Sequence, residues 1–255
     1  MSSGLVDAHA HLSAAEFRED LEAVLADAAA AGITRIITDG ETLEDAEANL
    51  ALAARFPQVK VCAGLYPTIL DLEASAALHA FIRARRDSFV GIGEVGLDHW
   101  IVKEDAERDL QRRIFADFIA LAADLDLPLN VHSRSAGRVT VQFLKEQGAR
   151  RVLLHAFDGK ASAALEGAAA GFFFSIPPSV VRSVQKQKLV RALPLERLLL
   201  ETDSPVLGPD PAARNEPRNL RIACQAVADL KGVSFEEVAE RTTANARHLF
   251  PRAFA

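Results

Sequence analysis

The chain has 255 residues, 49% hydrophobic and 25% charged, the balance of an ordinary globular protein. Its formal net charge of -6 argues against a nucleic-acid binder that works through a basic whole-surface footprint, but not against a local site where cations meet a phosphate chain. No apolar run approaches the ~20 residues of a membrane span, and the first residues lack a basic-then-apolar signal, so a cytoplasmic protein without membrane contact is expected.

The elements alternate. Leu5–His9 reads as the first strand, and an amphipathic stretch with Leu21, Val24, Leu25 and Ala28 at helical spacing closes at Gly32. Ile33–Thr38 is the second strand and Leu43–Arg55 a helix stopped before Pro57. Val59–Leu65 is the third strand, Leu72–Arg86 a helix, and Phe89–Glu94 the fourth strand. The longest helix spans Glu104–Asp124, with Leu110, Ile114, Phe118 and Leu121 as its apolar stripe. Pro128–His132 is the fifth strand, Val139–Gln147 a helix, Arg151–His155 the sixth strand, and Ser162–Ala170 a weak helix. Gly171–Ile176 is the seventh strand, Ser179–Ala192 is helical, and Arg197–Glu201 is the eighth strand. Helices near Leu220–Leu230 and Phe235–Leu249 finish the chain, the last opened by a Ser234/Glu237 capping box. Eight strands alternating with helices, joined by right-handed crossovers, predict an α/β fold: a single-domain (β/α)8 TIM barrel over residues 1–255. An open doubly wound sheet would need a glycine-rich phosphate turn, and none is present.

Candidate metal ligands recur at the C-terminal ends of these strands, where barrel active sites are built. In an extended strand His9 and His11 point to one face, with Asp7 one step deeper. Glu94 closes the fourth strand, His132 the fifth and His155 the sixth, and Asp203 lies two residues past the eighth. The donors are nitrogen and oxygen only, which suits Zn, Mn, Mg or similar divalent ions. Six ligands exceed one tetrahedral site, so two ions sharing a bridging carboxylate are expected. Cys62 and Cys224 stand far apart without CxxC spacing and read as buried free thiols. His79 and His248 fall in helical patterns, whereas His99 and Trp100 either line the pocket mouth or form an exposed loop pair.

Several segments together resemble the TatD-like metal-dependent deoxyribonucleases of the amidohydrolase superfamily. They are Asp7-Ala8-His9-Ala10-His11, Gly93-Glu94-Val95-Gly96-Leu97-Asp98, His132-Ser133-Arg134, His155-Ala156-Phe157-Asp158-Gly159 and Glu201-Thr202-Asp203-Ser204-Pro205. Arg214-Asn215-Glu216-Pro217 and Asn245 with Leu249-Phe250 match the C-terminal part of the pattern. The resemblance implies that His9, His11 and Asp203 hold one metal, that His132 and His155 hold the second, and that Glu94 bridges them. It implies substrate contacts at Arg134 and Tyr66 and at Arg214 and Asn215, the last pair orienting either their loop or the substrate. The family commonly has Gly-Leu-His-Pro where this chain has Gly64-Leu65-Tyr66-Pro67. A phenol is a poorer proton shuttle near neutral pH. Pro177-Pro178-Ser179 also departs from the family pattern, in a segment expected to shape the pocket.

The activity so implied is phosphodiester hydrolysis by a metal-activated water, with Asp203 moving the proton, as a deoxyribonuclease of the 3′-end exonuclease type. Single-stranded DNA or 3′ ends are the expected partner, with no obligate protein partner. The same apparatus would serve a carboxyl ester, a lactone or an aminoacyl-RNA ester. A metal-stabilised binding protein with little turnover is the reading from another class.

Overall fold

The structure, a computed structural model, describes residues 4–255. Among these, eight strands form one parallel sheet in sequence order. They are β1 Leu5–Ala10, β2 Ile33–Gly40, β3 Val59–Ala63, β4 Gly91–Gly96, β5 Leu129–His132, β6 Val152–Leu154, β7 Phe173–Ile176 and β8 Leu198–Leu200. The intervening helices are α1 Leu21–Ala30, α2 Leu43–Arg55, α3 Leu72–Ala84, α4 Asp105–Leu125, α5 Gly137–Glu146, α6 Ala161–Ala169 and α7 Val184–Ala192. Two more, α8 Leu220–Lys231 and α9 Phe235–Leu249, follow β8. Backbone hydrogen bonds past the end of β8 close the sheet into a (β/α)8 barrel: Asp203 N–H donates to His9 O at 2.9 Å and His11 N–H to Ser204 O at 2.8 Å. The same seam is tied by the buried Asp7 carboxylate, which accepts from Thr202 N–H at 2.8 Å and Thr202 Oγ1 at 2.5 Å.

The helices begin where side chains satisfy their free amides. Thr42 accepts from Asp45 N–H, Asp71 from Glu73 and Ala74, and Ser234 from Glu237, as its capping box predicts. Gly232, at φ 68°, ends α8 in the left-handed conformation that costs glycine little. The α4 stripe buries Ile114, Phe115, Phe118 and Leu121 between helix and sheet, each worth about 1.5–3 kcal/mol. Inside the barrel a second cluster joins Val6, Ala8, Ile37, Cys62, Leu153, Phe173 and Leu199 to Ala246, Leu249 and Phe250 of the C-terminal segment. That segment plugs the N-terminal end. Thr243 donates to Gly4 O just before β1, and Asn245 to the carbonyls of Leu195 and Leu198 at the start of β8. With one end plugged, the opposite rim is the open one.

Element boundaries differ from expectation in places that matter. Glu94 does not close β4: the strand runs on to Gly96, because Val95 and Gly96 pair with Val131 and His132. β2 extends to Gly40 through Asp39–Cys62 and Gly40–Ala63 pairing. β3 stops at Ala63, and a Cβ on the following Gly64 would sit 2.6 Å from Glu94 O. The expected helix over Ser179–Ala192 is two pieces, a 3-10 turn at Pro178–Val181 and then α7. Ser183 separates them by capping α7, accepting from Lys186 N–H at 3.3 Å.

Candidate metal centre

Closure of the barrel is what assembles the six predicted donors. His9 lies inside β1, and His11 follows it, turned inward by its backbone bond to Ser204. The left-handed backbone of Asp203, φ 55°, is a conformation that aspartate tolerates, and it brings the carboxylate under both rings. His9 Nε2 and His11 Nε2 are 3.1 Å apart, and Asp203 Oδ1 is 3.5 and 3.4 Å from them. Glu94 Oε2 approaches the same pair at 3.7 and 3.4 Å. Its other oxygen, Oε1, lies 2.6 Å from His132 Nδ1 and 2.9 Å from His155 Nε2, and those nitrogens are 3.4 Å apart. The single carboxylate of Glu94 therefore faces two groups of donors, one with each oxygen.

These spacings fit cations. A tetrahedral ion with ligands at ~2.0–2.1 Å sets them about 3.3–3.4 Å apart, and the four-donor group around Glu94 Oε2 spans 3.1–3.7 Å. Among the described residues His9, Glu94 and His155, and His9, His11 and Asp203, form two groups that could hold a metal. A third group adds Glu41 to His11 and Glu94.

Outer partners fix the imidazoles. His9 Nδ1 lies 3.1 Å from Asn130 Oδ1 and 3.3 Å from Asp39 Oδ2, while Asn130 Nδ2 donates to Asp39 and to Ala8 O. Gly93 makes room for this group, since a Cβ there would meet Asn130 Cβ and Asp39 Oδ1 at 2.6 Å. His132 Nε2 lies 3.1 Å from Asp98 Oδ2. His155 stacks on His9 at 3.8 Å, and its Nδ1 faces Glu201 Oε2 at 3.8 Å. Glu201 in turn accepts from Ala156 N–H and Ser175 Oγ.

The electrostatics balance buried carboxylates against imidazoles that hold protons. Burial, reinforced by the neighbouring His155, lowers His9 to about 3, so its nitrogen carries a free lone pair. Burial also opposes charge on His11, but the hydrogen bond to Asp203 and the Glu94 charge prevail and raise it to about 10. His132 is similarly raised to about 9, against burial, by Asp98 and Glu94. Burial would raise Glu94 and Asp203, yet the imidazoles hold both below the usual carboxylate range. Burial pushes Asp7 and Asp39 well up. Protons on the imidazoles thus stand where a cation's charge would, and cation binding would displace them.

The remaining predicted contacts divide. Tyr66 reaches the centre, with its ring 5.3 Å from that of His132, and burial and the charge of Glu94 push its hydroxyl pKa upward. Arg134 is exposed at the mouth, 5.4 Å above the Trp100 ring. Arg214 and Asn215, expected to orient either their loop or the substrate, lie away from the donors. Arg214 is bound to Asp20 at 2.9 and 2.6 Å and to Glu216 at 2.9 Å, and it lies over the Phe17 ring. Asn215 is buried, donating to the carbonyls of Thr202 and Val206 and accepting from Asn219. Both brace the loop that presents Asp203. His79 packs against Phe118 and His248 near Phe173, away from the donors.

Asp39, Glu41, Asp98, Asn130, Lys186 and Glu201 were not assigned from the sequence. Asp98 and Glu201 stood inside the quoted motifs. Lys186, partly buried on α7, donates to Ala156 O at 3.0 Å beside Glu201. No helix of the described residues is long and apolar enough to cross a membrane.

Comparison with known proteins agrees along nearly the whole length. A family model described as TatD related DNase matches residues 6–251. The mouse putative deoxyribonuclease TATDN3 is 46% identical over 267 residues, covering 99% of this chain and 90% of the mouse protein. The human deoxyribonuclease TATDN3 is also 46% identical, covering 98% and 95%. An uncharacterized metal-dependent hydrolase of Bacillus subtilis, YabD, is 34% identical over 96% of this chain and 98% of its own. Among solved structures, the TatD homolog YJJV of Escherichia coli superposes with a TM-score of 0.90 at 27% identity, covering 98% and 99%.

Proposed function

Since the chain belongs to the family of TatD-related DNases, we propose that it is a divalent-metal-dependent deoxyribonuclease that acts on single-stranded DNA or 3′ ends. The observation that carries this reading is Glu94, whose two oxygens each face a different pair of imidazoles. His9, His11 and Asp203 would hold one cation and His132 and His155 a second, with Glu94 between them. Zn, Mn and Mg all suit this donor set. When bound, such ions supply Lewis acidity at a phosphoryl group and neutralise the charge that builds on its oxygens.

The chain's own residues supply the rest. The open side of the centre is formed by His11, Asp203 and His132, whose side chains are 16%, 9% and 10% exposed, while His9 is fully covered. Asp203, on that side, orients the attacking water, takes its proton and returns it to the leaving oxygen. Arg134 offers a forked, charge-assisted contact to a phosphate at the mouth. Tyr66 keeps its proton across the neutral range and donates a hydrogen bond. A net charge of -6 gives no whole-surface positive charge with which to hold a long duplex, so a short strand or a chain end is the better fit.

A metal titration against single-stranded DNA, RNA, aminoacyl-RNA and a lactone tests the proposal. DNA hydrolysis that a chelator abolishes, with the helical circular dichroism retained, is the expected result. Turnover of the lactone or aminoacyl-RNA without DNA cleavage at full metal occupancy would overturn it.

A further inference from the structure

We infer that the indole of Trp100 is a stacking platform for one unpaired base of the DNA, with Arg134 and Lys103 taking the neighbouring phosphates; this rests on the deoxyribonuclease reading above. Trp100 lies in the turn after β4, the strand that carries Glu94, and 55% of it is exposed. Its neighbour Ile101 is 56% exposed, so two consecutive apolar side chains face water here.

The turn is held in place. Asp98 Oδ1 accepts from Trp100 N–H and from Ile101 N–H, both at 2.7 Å, while Asp98 Oδ2 lies 3.1 Å from His132 Nε2. One buried carboxylate therefore links the indole's backbone to a donor of the metal centre. A second tie, His99 N–H to Arg134 O at 2.9 Å, joins the loop after β4 to the loop after β5. The Arg134 guanidinium stands 5.4 Å and the Lys103 ammonium 5.2 Å from the indole centroid. Cations at that distance orient a ring by cation–π attraction, and the residue as a whole stays 55% exposed beside them.

An aromatic face beside two cations, next to a centre suited to phosphodiesters, is the complement of a nucleotide. The π-face accepts any base, and the cations meet the anionic backbone. A neutral ester or lactone has neither feature. The ring would also set which nucleotide is held while its neighbour lies over the centre, so it acts on binding and register and not on proton transfer.

Trp100 is the chain's single tryptophan, so intrinsic emission reports this residue alone. The metal-loaded protein would be titrated with a short phosphorothioate single strand, which turns over slowly, and with a strand of equal length made of abasic residues. Stacking of one base is worth roughly 5- to 150-fold in affinity. The base-bearing strand should quench the emission and bind tighter by that factor. Trp100→Ala should bind both strands equally, and Trp100→Phe should keep part of the preference, with circular dichroism confirming that each variant folds. Equal affinities in the wild type, or an undiminished preference in Trp100→Ala, would overturn the inference. Cleavage of ordinary DNA without quenching would overturn it alone. No binding or cleavage of any strand would remove the deoxyribonuclease reading as well.

Discussion

Replacing Asp98 by asparagine puts a sharp question to the outer layer of the centre. Asp98 is fully buried, and both of its oxygens must accept: Oδ1 from two backbone amides at 2.7 Å, Oδ2 from His132 at 3.1 Å. A carboxylate that only accepts keeps a proton on His132 Nε2, so that when a cation displaces the proton shared by Nδ1 and Glu94, the Nδ1 lone pair faces that cation. An amide has one accepting end. If the Asn oxygen serves the two amides, its NH2 faces Nε2 and drives the proton to Nδ1, where it blocks coordination. If the oxygen serves His132 instead, two buried N–H groups lose their partner, at about 1–3 kcal/mol each. Loss of such an outer partner typically costs about 10–100-fold in metal affinity, which is about 1.4–2.7 kcal/mol. Metal occupancy against a competing chelator, together with the thermal midpoint, measures both branches. Although burial would raise it, Asp98 is held below the usual range by His132 and the two amides. Its stability contribution is therefore fully present above the unfolded pKa of about 3.9, and the gap between wild type and variant should narrow as pH falls below that value and through the lower folded pKa. Unchanged metal affinity and unchanged stability in Asp98→Asn would refute the reasoning.

Three further outcomes are expected. Asp203→Asn keeps the shape but loses the proton acceptor, so kcat should fall by about 10²–10⁴-fold with metal partly retained; near-normal turnover at full occupancy would remove it from proton transfer. Arg134→Ala should impair cleavage of DNA strongly and a neutral ester little, and equal losses on both would dismiss the phosphate contact. Arg214→Ala should lower the thermal midpoint slightly, by loosening the loop that presents Asp203, while KM for DNA stays put; a selective rise in KM would restore a substrate role to Arg214.

The barrel and its donors were legible because the signals are local. Apolar runs that end in His or Glu place those side chains at one rim whatever the details of packing. Glu94 shows the limit of that logic, since its strand continues to Gly96 and only the pairing of β4 with β5 says so. The motif holding Arg214 and Asn215 left open whether they orient their loop or the substrate, and only the folded chain shows one bound to Asp20 and the other to the loop's own carbonyls. Asp39, Asn130 and Glu201 act across strands, and no periodicity within one segment marks a residue as the partner of a histidine about 30–120 positions away. Ser183 was legible only as one more polar residue in a helical stretch, until its hydroxyl was seen to start α7.

Glu94, as the carboxylate that two cations would share, is the centre of the proposed site. Elemental analysis of the wild type and of Glu94→Gln, after saturation with one divalent metal and removal of the excess, tests it. Two ions per wild-type chain and loss from both positions in Glu94→Gln are the expected result, because a neutral amide bridges two dications poorly. Two ions retained by the glutamine variant would contradict it.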